Sequence, residues 1–201
     1  MQLVVAVATI LVLFFKCRAT EPDSRQMELL DKANKSRIAP DLIEAIPGAV
    51  FEARFEAGPI AMGNRFTPEQ ASAAPSAIEF PRTAGATYTI AMLDPDAPSM
   101  SDPKFGPILH WLVVNVEAGD VKEPVNYERG NELFGYRGPM PPAGSGPHRY
   151  VFLAYKQQNI IESPQVVPFD NRKNFKIAEF TKKHNLGNPI ALNYFLAENA
   201  K

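Results

Sequence analysis

The chain has 201 residues, 45% of them hydrophobic and 21% charged, which is enough for one globular domain with a substantial core. Its 21 Lys and Arg against 22 Asp and Glu leave a formal net charge of -1. That balance excludes a long-range field for nucleic acid or an anionic membrane, so any anion must be met by local groups.

In chain order, residues 3–15 form an apolar run broken only by Thr9, followed by Cys17 and Ala19 in the small-x-small spacing of a cleavable secretory leader. A helix of that length at ~1.5 Å per residue spans ~20 Å, short of a ~30 Å hydrocarbon core. The sequence therefore predicts a signal peptide at 1–19, a secreted single domain at 20–201 without a thiol, and no stable membrane anchor. Within a helical extension at 20–40, Met27, Leu29, Leu30 and Ala33 recur at near-helical spacing after Asp23 or Ser24, which predicts an amphipathic helix. APDLIEAI, with Pro40 in its first turn and Pro47 and Gly48 at its end, predicts a second short one.

After Gly48 the character changes. VFEARF, SAIEF, TYTIAML, ILHWLVVNV and RYVFLAYKQ are short runs rich in β-branched and aromatic residues, each bounded by proline or glycine. With 19 prolines and 12 glycines and no long helical periodicity, the chain reads as mainly β, an antiparallel β-sandwich with short peripheral α-helices. The one later helix predicted is KNFKIAEFTKKHNL, with Phe175, Ile177, Ala178 and Phe180 inward and Gly187 beyond its end.

Three of these strands end on polar groups. Period-two alternation places His148 on one face with Tyr150, Phe152 and Ala154; His110 with Ile108, Leu112 and Val114; and Asp94 with Tyr88, Ile90 and Met92. A buried imidazole or carboxylate without a partner costs about 1–3 kcal/mol or more, so such row ends are expected to pair or to meet at a cavity mouth. The DPDAP turn at 94–98 cannot continue a strand and holds two carboxylates at the sheet rim. MPPAGSGP at 140–147 is a stiff facing wall in which Gly144 and Gly146 permit close backbone approach. The combination predicts a small anion pocket. Arg149, on the opposite strand face, is expected to pair with a carboxylate such as Asp96 or Asp102.

DPDAPS at 94–99, HWLVVN at 110–115 and PPAGSGPHRYVFLAYKQ at 141–157, in that order, closely resemble the phosphatidylethanolamine-binding protein family, which includes the Raf kinase inhibitor proteins. A looser resemblance runs from about Asp41 to Tyr194. It implies a Greek-key sandwich with a pocket lined by Asp94, Asp96, Pro98, His110, Pro141, Pro142, His148 and Tyr150 that takes a phospholipid head group or similar anion. Two departures imply a wider or less selective cavity. Ile108 stands where many members carry an aromatic residue, and the chain stops soon after Phe195, where mammalian members add a helix.

Catalysis is not expected. There is no GxSxG elbow, no HxT or HxS pair, and Ser145 lies only three residues before His148 in a proline-glycine turn, a poor nucleophile–base arrangement. Three histidines without chelating spacing predict no metal, and nothing points to a cofactor. A phosphodiesterase using both histidines and an inhibitor of proteases or kinases acting through its surface are the alternatives, with no protein target named by the sequence.

Overall fold

The computed structural model describes residues 24–121, 123–162, 165–166 and 168–199. The predicted leader at 1–19, with Cys17, lies outside them, as does Asp23. Among the described residues no helix is long and apolar enough to cross a membrane.

The strands are β1 (Glu52–Phe55), β2 (Gly58–Pro59), β3 (Asn64–Phe66), β4 (Ala77–Glu79), β5 (Thr87–Asp94), β6 (Ile108–Glu117), β7 (Asn131–Phe134), β8 (His148–Lys156) and β9 (Ala191–Ala197). They form a three-stranded sheet, β2-β1-β4, and a six-stranded sheet, β3-β9-β8-β5-β6-β7. In the larger sheet β5, β6 and β7 follow one another and β8 returns beside β5, which is the Greek-key order. The expected mainly antiparallel sandwich is observed, with one parallel pair, β3 with β9, at the edge.

The inner faces meet in a core where Phe51, Phe55, Ile78 and Phe80 pack against Ile90, Met92, Trp111, Phe152 and Phe195. Phe51 and Phe152 stack at 5.4 Å between ring centroids. Each side chain of this size contributes roughly 1.5–3 kcal/mol when fully buried. On the other face of the large sheet, Leu93, Leu112, Val151, Leu153 and Leu192 are covered by Ala33, Ile38 and Ile177 from the helices α1 (Ser24–Lys35), α2 (Ile38–Asp41) and α3 (Ile177–Lys183). β8 is thus buried on both faces, which is why its sequence is almost continuously apolar.

The helices are shorter than their sequence spans. Ala39 is non-helical at φ -101° and ψ 125°, as the residue before a proline tends to be, so the second predicted helix shrinks to four residues. Asn174 at φ 53° keeps the start of KNFKIAEF out of the last helix, and Ala178, expected inward, is exposed. β9 was not among the predicted strands, because Asn193 interrupts its apolar pattern. Buried there, Asn193 accepts from the Met62 amide at 2.8 Å and donates to the Phe51 carbonyl at 2.7 Å, tying β9 to the segments flanking β1 and β3.

Candidate functional site

The C-terminal end of β5 and the N-terminal ends of β6 and β8 lie side by side in the large sheet, so their polar residues open on one rim. A cavity of about 660 Å³ opens there, lined among others by Asp94, Pro98, Ile108, His110, Pro142 and His148. Another concavity, of about 610 Å³, lies beside β1 with Arg54 and Asn193 in its wall, but no comparable set of strand ends converges on it.

His110 reaches the rim by a route that simple alternation misses. The β5–β6 register slips between Met92↔Trp111 and Leu93↔Leu109, leaving His110 as the extra residue of a bulge. Leu109 and Leu112 therefore face the helical layer while His110 turns to the inter-sheet side, its ring 5.1 Å from that of Tyr150. The expected row of His110 with Leu112 and Val114 is corrected accordingly.

His148 Nδ1 lies 2.8 Å from Asp94 Oδ2, and its Nε2 lies 3.0 Å from Ser145 Oγ. The expectation that Ser145 sits badly for His148 fails: Gly144 and Gly146, at φ 72° and 77°, fold the loop back over the ring. Proton bookkeeping still opposes a nucleophilic serine. Ser145 Oγ is 2.7 Å from the Pro142 carbonyl, which only accepts; with the hydroxyl proton placed there, His148 Nε2 donates to Ser145. When the ring is protonated, Nδ1 donates to Asp94 and Nε2 to Ser145, and no lone pair is left to act as a base. Burial pulls its pKa down, but the hydrogen bond and charge of Asp94, helped by Asp96, outweigh burial and raise it above the ordinary value.

His110 is the opposite case. Burial, assisted by the Arg172 and Arg137 charges, lowers its pKa despite the bond from Nδ1 to the Arg137 carbonyl at 2.7 Å. The ring is neutral, with Nε2 its acceptor nitrogen. Tyr150 is wholly buried beneath both histidines, with its hydroxyl near the Met140 backbone and Asp94. Burial, reinforced by the Asp94 charge, raises its pKa.

Three of the eight residues expected around the pocket are not part of its lining, and one of them, Tyr150, lies fully buried beneath it. Asp96 accepts from the Arg149 amide at 2.8 Å and binds its guanidinium at 2.6 Å, so its carboxylate is committed away from the cavity, as the pairing expected for Arg149 requires. Pro141 is buried behind Pro142 and is not part of the lining. Sequence reasoning missed the cationic wall of Arg137, Arg172 and Lys173 and the apolar rim of Phe105 and Met140. The available signal was basic residues inside the proline- and glycine-rich stretch GYRGPMPP and the polar stretch DNRKNF.

A family profile described as phosphatidylethanolamine-binding protein matches residues 51–195. The chain belongs to that family. This phosphatidylethanolamine-binding protein family member is 28% identical over 191 residues to "Putative odorant-binding protein A5" of Drosophila melanogaster, spanning 92% of this chain and 87% of that protein. Its fold matches a carboxypeptidase Y inhibitor, solved in complex with its cognate proteinase, with a TM-score of 0.73 and 29% identity over 86% of this chain and 96% of the inhibitor. A phosphatidylethanolamine-binding protein from Plasmodium vivax shares the fold with a TM-score of 0.67 at 19% identity, over 85% of this chain and 97% of that one.

Proposed function

We propose that the protein is a secreted binding module that holds the phosphate of a phospholipid head group in the cavity at the β5, β6 and β8 ends, and acts as a carrier or signalling module rather than an enzyme. The reading is carried by one observation: His148, whose pKa Asp94 raises, and a second imidazole, His110, border the same cavity beside Asp94. An entering phosphate oxygen replaces Ser145 as acceptor of the His148 Nε2–H. The same anion favours a proton on His110, whose Nε2 then becomes a second donor. Tyr150 packs beneath both rings and holds them at the cavity floor. The apolar rim of Phe105 and Met140 supplies contact for acyl chains.

Titration with inorganic phosphate by calorimetry tests this. Wild type binds, with affinity falling as pH rises through the elevated His148 pKa, whereas His148→Ala loses roughly tenfold or more, as expected for removal of a charge-assisted donor. Equal heats for the two proteins would sink the reading.

A second reading has one support, the likeness to an inhibitor seen bound to its proteinase. An inhibitory surface on this chain would act independently of the cavity. Inhibition of a carboxypeptidase by wild type and His148→Ala alike favours it; inhibition that phosphate competes away does not.

A further inference from the structure

The cavity wall carries a charge pattern that the choice of head group must answer. Among the described residues, Asp94 is the only carboxylate in the lining, against Arg137, Arg172 and Lys173. Both Asp94 oxygens are engaged, Oδ2 with His148 Nδ1 and Oδ1 with the Asp96 amide, each at 2.8 Å. Proteins hold an ammonium against carboxylates or aromatic faces. The lining phenylalanine, Phe105, and the nearby Phe134 already face the protein's own cations. Lys173 Nζ lies 4.7 Å and Lys104 Nζ 5.7 Å from the Phe105 ring centre, and the Arg172 guanidinium lies 3.3 Å from that of Phe134.

Resting on the head-group reading above, we propose that the cavity selects a phosphomonoester dianion, presented by a phosphatidic acid or by a soluble phosphate ester, over a zwitterionic head group such as phosphatidylethanolamine. A phosphomonoester with a second pKa near ~6 carries close to two charges at neutral pH, whereas the phosphodiester of the zwitterion carries one and brings a cation with it. The dianion answers the cationic wall, while the ammonium enters a lining whose one carboxylate among the described residues is already engaged and whose nearest cations repel it. The wall is itself under like-charge pressure. Burial, then the nearby Arg137 charge, pushes the Arg172 pKa down to about 10, and a bound dianion relieves that pressure.

Calorimetric titration of the purified protein at about neutral pH, where the ester is doubly ionised, separates the possibilities. The probes are short-chain phosphatidic acid, short-chain phosphatidylethanolamine and glycerol 3-phosphate, the lipids kept below their micelle thresholds. The proposal expects the phosphatidic acid to bind roughly tenfold or more tightly than the phosphatidylethanolamine, in line with charge-assisted contacts. Glycerol 3-phosphate binding as tightly as the lipid also supports the monoester class and makes the soluble ester its source; much weaker binding makes the lipid the source. Equal or tighter phosphatidylethanolamine binding overturns the selectivity while leaving the head-group reading standing. Failure of all three probes overturns both. Lys173→Gln, an exposed position that leaves folding intact, should weaken the phosphatidic acid more than the zwitterion and narrow their ratio; an equal loss for both counts against the cationic wall as the selector.

Discussion

His148 and His110 share a cavity wall but sit in opposite electrostatic settings, and that has a consequence for stability even without a ligand. The folded pKa of His148 lies above its ordinary 6.5, so its contribution is complete below pH 6.5 and is lost as pH rises through the elevated value. That of His110 lies below 6.5, so the folded state resists a proton that the unfolded chain accepts, and stability is lost as pH falls from 6.5 through the depressed value. Together they favour a stability maximum close to pH 6.5 from this pair. Thermal unfolding of the variants across the acid and alkaline limbs checks it: His148→Gln should flatten the alkaline decline and His110→Gln the acid one. Identical pH profiles for wild type and both variants would show that neither ring feels the surroundings described.

At the scale of elements, the site depends on how tightly the 94–98 turn is held. The loop at 103–107 is stitched to it by the Phe105 and Gly106 amides, which both donate to the Ala97 carbonyl at 2.9 and 3.0 Å. Gly106 is placed so that an added Cβ would collide with the Pro95 carbonyl, backbone that cannot swing away as a side-chain tip can. Gly106→Ala should therefore cost about 1–3 kcal/mol as an overpacking change and weaken phosphate binding by shifting Asp94 away from His148; urea unfolding and the phosphate titration measure the two effects. None of this closeness was legible in the sequence, where Gly106 is one glycine among 12. What was legible was local. Alternation placed Asp94 and His148 correctly because β5 and β8 pair regularly up to that end, and proline placed the turn that begins at Asp94. His110 escaped that logic because its facing depends on a bulge, a property of how two strands pair and not of either one. The cationic wall escaped it too, since Arg137 and Lys173 meet only after residues far apart in the chain are folded together.

Over the whole molecule, two consecutive residues of β8 connect the cavity to the N-terminal helical layer. His148 grips Asp94 on the inter-sheet side, and the next residue, Arg149, grips Asp96 on the other, so the two carboxylates of one turn are held from opposite faces of one strand. Arg149 then extends to the Ser36 carbonyl at 2.7 Å and to Asp41 Oδ2 at 3.0 Å, which fastens the end of α1 and α2 to the same turn. It is 5% exposed and Asp96 is 1% exposed, so removing one partner strands a charge away from water. Arg149→Leu should lose about 3–5 kcal/mol, the usual cost of breaking a buried pair, while Arg149→Leu combined with Asp96→Leu should recover part of it because no lone carboxylate remains buried. The loss should also be regional. Hydrogen exchange in α1 and α2 should accelerate more than in β5 and β9, because the helical layer loses a fastening that the sheet does not need. A single variant as stable as wild type, or an exchange increase spread evenly over the chain, would show that the arginine fills space there without joining the two parts.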